Sequence, residues 1–187
     1  MLLRPSGASS RPARAWDPPN HEPAARRPGP VRDGVRLAVD VGSVRIGVAR
    51  SDPGGVLASP LTVVRSGPGD LDTLAGLTAD ANAIEVIVGL PTSLSGREGA
   101  AAAAARNFAA ELAGRLAPVP VRLVDERFTT TQAHAALRRG GKDSRARRTI
   151  VDAAAAAVLL QAALDAERTT GFPPGQPVPV ASSGTSA

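Results

Sequence analysis

VRLAVDVGSVRIGVAR, Val35 to Arg50, is the stretch that decides the fold. Val35, Leu37 and Val39 alternate with Arg36, Ala38 and Asp40, the period of a strand. Gly42 and Ser43 then supply a turn, and Ile46 to Ala49 open a second apolar strand, so a tight hairpin is expected. An aspartate closing so apolar a strand is costly to bury unless hydrogen bonds, a cation or a metal offset its charge, which makes Asp40 the first candidate functional residue. The competing reading is local: Asp40 accepts backbone N–H bonds from the Gly42-Ser43 turn.

Downstream of this hairpin the pattern alternates. Val56 to Val64 reads as a third strand in which Pro60 marks an edge or an irregularity. A helix follows from Asp70 to Ala81, with Leu71, Leu74 and Leu77 on one face, then a short apolar strand from Ile84 to Gly89 that Pro91 stops. The alanine-rich run from Arg97 to Ala117 reads as a long helix, with Phe108, Leu112 and Leu116 at four-residue spacing, and Pro118 ends it. Val119 to Glu126 is a strand closing in two adjacent acids. Thr129 or Thr130 caps a further helix that ends at Gly140-Gly141, and a last helix covers Arg147 to Ala166, packing through Ile150, Val151, Val158, Leu159 and Leu164. The sum is an α/β domain with a mixed five-stranded sheet flanked by helices.

The chain of 187 residues holds one such domain. Residues 1–34, rich in Pro, Arg, Ala and Gly, read as a disordered tail, residues 35–167 as the folded domain, and residues 168–187 as a second disordered tail. The N-terminal segment lacks the apolar centre of a secretory signal. With no cysteine, disulfide frameworks and thiolate chemistry are excluded, in keeping with a cytoplasmic protein. No stretch has the length and apolarity of a membrane span. The formal charge is +5, yet Val35 to Glu167 carries 15 basic against 14 acidic residues, so a nucleic-acid surface must come from local clustering. Scarce aromatics disfavour a single-strand binder built on stacking platforms.

Two strands end in acids, Asp40 and the pair Asp125-Glu126, and the last helix carries Asp152 in its first turns. Carboxylates from separate elements that meet at strand ends repel one another unless cations lie between them. Oxygen-only ligands favour Mg²⁺ or Mn²⁺, and paired ions of that kind serve in-line phosphodiester hydrolysis. Taken alone, Asp152 has a simpler reading, favourable placement near a helix N-terminus. Alternation puts Asp125 on the face of Val121 and Leu123 and Glu126 on the face of Val124, so one of the two points into the site. Glu126 has the longer reach, while Asp125 could pair with Arg127 or Arg45; both stay candidates.

RRGGKDSRARR, Arg138 to Arg148, holds six basic residues and one acid just before Asp152. Arg138, Arg139, Lys142, Arg145, Arg147 and Arg148 are thus candidate phosphate contacts, with Arg45 and Arg97 as weaker ones; the plain alternative is a solvated surface. Gly42 and Gly47 have the wrong spacing and context for a dinucleotide loop. His21 and His134 lack the partners of a zinc site, and no serine elbow is present.

VDVGSVRIGVARSD at Val39 to Asp52, VGLPTSLSGREG at Val88 to Gly99, VDERFTTTQA at Val124 to Ala133 and TIVDAAAAAVLLQAALD at Thr149 to Asp165 together resemble the bacterial family described as pre-16S ribosomal RNA nucleases or Holliday-junction resolvase homologues. The resemblance covers Val35 to Glu167 and implies an RNase H-like fold with an acidic centre at Asp40, the Asp125-Glu126 position and Asp152. It implies a metal-dependent endonuclease maturing the 5′ end of 16S rRNA, acting on structured RNA or a pre-ribosomal particle. Branched-DNA cleavage, and a noncatalytic RNA-binding role in ribosome assembly, are the alternatives. The same resemblance leaves monomer and homodimer open, and nothing in it extends to the long N-terminal segment.

Overall fold

The structure, a computed structural model, describes residues 31–91, 99–126 and 145–180, with the side chains of residues 145–150 outside that description. Its sheet is mixed. Strands β1 (Arg36–Val41), β2 (Arg45–Ser51) and β3 (Ala58–Arg65) form an antiparallel meander, while β4 (Glu85–Leu90) and β5 (Val121–Asp125) run parallel to β1. Helix α1 (Asp70–Asp80) joins β3 to β4, α2 (Ala100–Leu116) precedes β5, and α3 (Arg145–Thr170) follows it. A two-residue strand, β6 (Gln176–Pro177), closes the order β3-β2-β1-β4-β5-β6. The helix expected across residues 129–141 lies outside the described residues.

The two faces of this sheet differ in side-chain size, and that difference positions the site. Leu37, Val39, Ile46, Val48, Val64, Val86, Val88, Val121 and Leu123 point to one face, where they pack with Leu74 of α1 and Leu112 and Leu116 of α2. On the other, Ala38, Ala49, Ile87 and Val124 meet Ala156, Leu159, Leu160, Ala163 and Leu164 of α3. Because strand side chains alternate between faces, a strand such as LAVD delivers bulk to the α1–α2 side and only Ala38 and Asp40 to the α3 side. Helix α3 can therefore lie close to the sheet.

Pro60 sits on β3, an edge strand, opposite Ala49, where the ladder shifts register between Val48 and Ala49. Edge position and irregularity thus coincide, as a residue with no N–H to donate requires. Helix α1 begins after Gly69, which takes the left-handed conformation at φ 88°, and the Asp70 carboxylate accepts the Gly67 N–H at 2.9 Å.

Three sequence expectations need correction. The sheet has six strands rather than five: β6 pairs antiparallel with β5, and the Arg122 guanidinium donates to the carbonyls of Pro174 at 2.7 Å and Gly175 at 2.8 Å. The tail expected from residue 168 is therefore ordered in part, since α3 runs on to Thr170 and the Pro-rich segment is held by Arg122. At the other end, Arg32, assigned to a disordered tail, is fastened to the domain. Its Nε and Nη2 bind Glu167 at 2.9 Å each, and Nη2 also reaches Glu85 Oε2 at 2.8 Å. Arg36, fully buried, adds a bond to Glu167 at 2.9 Å and another to the Arg32 carbonyl at 2.7 Å. Buried carboxylates need such partners, and two guanidiniums against Glu85 and Glu167 supply them.

Burial pushes the Glu167 carboxyl up, but hydrogen bonds and charge from Arg32 and Arg36 outweigh it and hold the group below its ordinary value. The Arg32 guanidinium is held above its usual value, chiefly by its bond to Glu167.

Candidate functional site

Asp40 stands near the C-terminal end of β1 on the α3 face, two residues beyond the buried Ala38. Its direct partner in the antiparallel ladder is Gly47. A Cβ on Gly47 would collide with the carbonyl oxygen of Asp152 and with the Asp152–Ala153 peptide. The first turns of α3 thus rest on β2 at the one place where β2 has no side chain. That contact seats the Asp152 backbone over the strand residue that is the ladder partner of Asp40.

Glycine plays the same part on the other side of Asp40. The parallel register pairs Val39 with Val88, and one step further sets Gly89 of β4 beside Asp40. A Cβ on Gly89 would lie 3.1 Å from Leu159 Cδ2 and 3.2 Å from Glu126 Oε1. The Glu126 carboxylate therefore reaches back over β4 on the α3 face. Across the sheet the order is Asp152 above Gly47, then Asp40, then Glu126 above Gly89.

Asp125 belongs to the other face. It pairs in register with Leu90, and alternation groups it with Val121 and Leu123 on the α1–α2 side. The longer neighbour, not the aspartate, shares a face with Asp40 and Asp152.

Arg45 completes the arrangement. Its carbonyl accepts the Gly42 N–H at 3.0 Å to close the β1–β2 turn, and its Nε donates to Asp152 Oδ2 at 2.6 Å. Both side chains are 31% exposed. A Cβ on Gly42 would lie 2.6 Å from that same carbonyl, so the turn demands glycine. Val44, at the tip, is 64% exposed. As placed here, no three acidic or histidine side chains among the described residues close into a single ion-sized cluster.

The donor chemistry nonetheless suits a hard divalent cation: three elements each bring a carboxylate-bearing residue to the α3 side of the sheet, with the Asp152 backbone seated over Gly47 and the Glu126 carboxylate over Gly89. Asp40, Glu126 and Asp152 are the residues that would hold such an ion. The expected phosphate contacts Arg97, Arg138, Arg139 and Lys142 lie outside the described residues. Arg145, Arg147 and Arg148 fall in the first turn of α3, with their side chains undescribed.

Asp52, the second acid of the β1–β2 motif, is not part of this row. Its carboxylate accepts the N–H groups of Leu57 at 2.6 Å, Val56 at 2.8 Å and Gly54 at 3.0 Å, bonds that hold it below its ordinary value and shape the β2–β3 turn. What sequence reasoning missed are Gly47 and Gly89, and the signal was present: glycines inside strands that flank an acidic strand end mark a close approach by another group.

The fold is an α/β domain built on a mixed sheet, with Asp40, Glu126 and Asp152 on the side that its last helix covers. A family model described as Holliday junction resolvase, RuvX, matches residues 34–166, and the chain belongs to that family. Three relatives, each provisionally named a pre-16S rRNA nuclease, illustrate the membership. The Thermobifida fusca protein is 61% identical over 153 residues, 78% of this chain and 96% of its own. That of a Nocardioides species is 56% identical over 78% of this chain and 97% of its own, and that of Mycobacterium ulcerans 50% identical over 84% and 91%. Among solved structures, Thermus thermophilus RuvC in complex with a Holliday junction substrate aligns with 78% of this chain and 99% of its own, at 17% identity and a TM-score of 0.46. No helix among the described residues is long and apolar enough to cross a membrane.

Proposed function

We propose that this protein is an Mg²⁺- or Mn²⁺-dependent endonuclease that processes the 5′ end of pre-16S rRNA, acting in the cytoplasm on structured RNA or a pre-ribosomal particle. The observation that carries the reading is the row of Asp152, Asp40 and Glu126 over two side-chain-free strand positions. Relatives at 50 to 61% identity, each provisionally named a pre-16S rRNA nuclease, support the choice of RNA.

In this reading Asp40, Glu126 and Asp152 are the carboxylates that hold the cation, and Asp125 is not among them. Bound divalent cations supply Lewis-acid stabilisation of a phosphoryl oxygen and a readily ionised water. The sheet contributes rigidity: Asp40 is fixed by the β1–β2 ladder, Glu126 by its seat over β4, and Asp152 by the contact of α3 with Gly47. Substrate phosphates are gripped by Arg97 and by the cationic run Arg138, Arg139, Lys142, Arg145, Arg147 and Arg148, which immediately precedes Asp152 in the chain. A second reading, cleavage of branched DNA, is favoured by the description of the matching family as Holliday junction resolvase.

The test compares cleavage of a 16S rRNA precursor and of a four-way DNA junction by the parent protein and Asp40→Asn, with Mg²⁺, with Mn²⁺ and with chelator. Defined cuts in the 5′ region of the RNA, lost in the variant and with chelator, are expected. Junction-selective cuts would move the substrate to DNA. RNA binding with no cation-dependent cleavage of either would make the protein a noncatalytic assembly factor.

A further inference from the structure

The Asp152 carboxylate of the proposed cation set has a counter-charge in Arg45. Arg45 Nε lies 2.6 Å from Asp152 Oδ2, and the backbone beneath that guanidinium is fixed by the turn bond from Gly42 N–H to the Arg45 carbonyl. The pair is a charge-assisted contact between a guanidinium and a carboxylate. It opens when another cation takes the carboxylate, or when an anion takes the guanidinium. A divalent ion and a nucleic-acid phosphate are respectively such groups.

We propose that Arg45 is a resident counter-cation for Asp152, displaced by the incoming divalent ion and thereby released toward the substrate phosphate. The proposal rests on the reading of Asp152 as a cation ligand. Three features support it. The bond uses Nε, which leaves the two terminal nitrogens of the guanidinium outside the contact. Both partners are 31% exposed, so neither is sealed away from an arriving ion. Finally, Arg45 opens β2 two residues before Gly47, against which Asp152 is packed, so the guanidinium remains at the site after it lets go.

The consequence has a sign that an orienting role would not produce. If Arg45 competes with the ion, removing it strengthens ion binding in the absence of nucleic acid; if it merely orients Asp152, removing it weakens ion binding. By linkage, ion binding and phosphate binding at Arg45 help each other, and that mutual help disappears with the guanidinium.

The test is Mn²⁺ binding to the full chain without nucleic acid, followed by paramagnetic resonance of the free ion, for the parent, Arg45→Gln, Arg45→Lys, Asp152→Asn and Asp40→Asn. Arg45→Gln is expected to tighten Mn²⁺ binding by about threefold to tenfold, with Arg45→Lys close to the parent. The effect should vanish when Arg45→Gln is placed in the Asp152→Asn background. Unchanged or weaker binding in Arg45→Gln, or a gain that persists without Asp152, would overturn the proposal. Binding by the parent that Asp40→Asn weakens, with no gain in Arg45→Gln, would overturn it while leaving the proposed nuclease reading intact. No Mn²⁺ binding by the parent would overturn both.

Discussion

The α-carbon of Gly47 lies beneath the carbonyl oxygen of Asp152 with no room between them for a methyl group. The obstacle is backbone, which cannot rotate aside as a flexible side chain can. Gly47→Ala should therefore lift the first turns of α3 from β2. A destabilisation of about 1–3 kcal/mol is expected from overpacking. Cleavage should fall by about 10²-fold, the order associated with a misplacement of about 1 Å. Urea denaturation and initial cleavage rates check the two effects separately.

Gly89→Ala tests the other flank. Its new methyl would meet side-chain atoms, Leu159 Cδ2 at 3.1 Å and Glu126 Oε1 at 3.2 Å, which can give by a few tenths of an ångström. Stability should fall by less than about 1 kcal/mol, while activity falls further because Glu126 is the group that moves. Gly76→Ala is the control. Gly76 is exposed inside α1 with nothing near its missing Cβ, so alanine there should raise stability by about 0.5–1 kcal/mol and leave cleavage unchanged.

The adjacent acids of β5 should part company. Glu126→Gln is expected to reduce cation-dependent cleavage by at least about 10²-fold, the loss typical of one critical charge-stabilising group. Asp125→Asn, on the α1–α2 side, should stay within about threefold of the parent. Equal losses in the two variants, measured at saturating Mg²⁺, would remove the distinction that the glycine at position 89 draws.

The Arg32–Arg36–Glu167 lock predicts an acid limb in stability. Glu167 is held below its ordinary carboxyl value in the folded state, so it binds a proton less readily there than in the unfolded chain. Its contribution is therefore complete above the unfolded value of about 4.3, and is lost as pH falls through the lower folded value. Glu167→Gln should lower Tm at pH 7 and flatten its decline below about pH 4, a window set by that unfolded value. Arg36→Met, which removes a fully buried partner, should cost about 3–5 kcal/mol at neutral pH.

Much of this architecture was legible in the chain because its signals were periodic. Alternation in LAVD and RLVDE assigned faces correctly, and Pro60 announced an irregular edge. Strand β6 was illegible for a physical reason: GFPPGQPVPV is dominated by Pro and Gly, which are depleted in strands, and its place beside β5 rests on Arg122, a tertiary contact. Arg32 was misread on the same grounds, since its partner Glu167 lies 135 residues away. At the site, residue types pointed to Asp40 and Asp152, but the choice between Asp125 and Glu126 needed to know which helix covers which face. That depends on packing between elements distant in sequence.

The unequal faces of the sheet carry a consequence for how this protein can vary or be engineered. On the α1–α2 side, large strand side chains meet leucines and alanines of the helices, and volume lost at one position can be recovered by a neighbour. Beneath α3, at Ala38, Gly47, Ala49 and Gly89, the room is set by how closely a helix approaches a strand, and at Gly47 the neighbour is main chain. No second substitution restores what a methyl group there would take. The scaffold thus offers one side for redesign and keeps the other as a fixed datum against which Asp40, Glu126 and Asp152 are aligned.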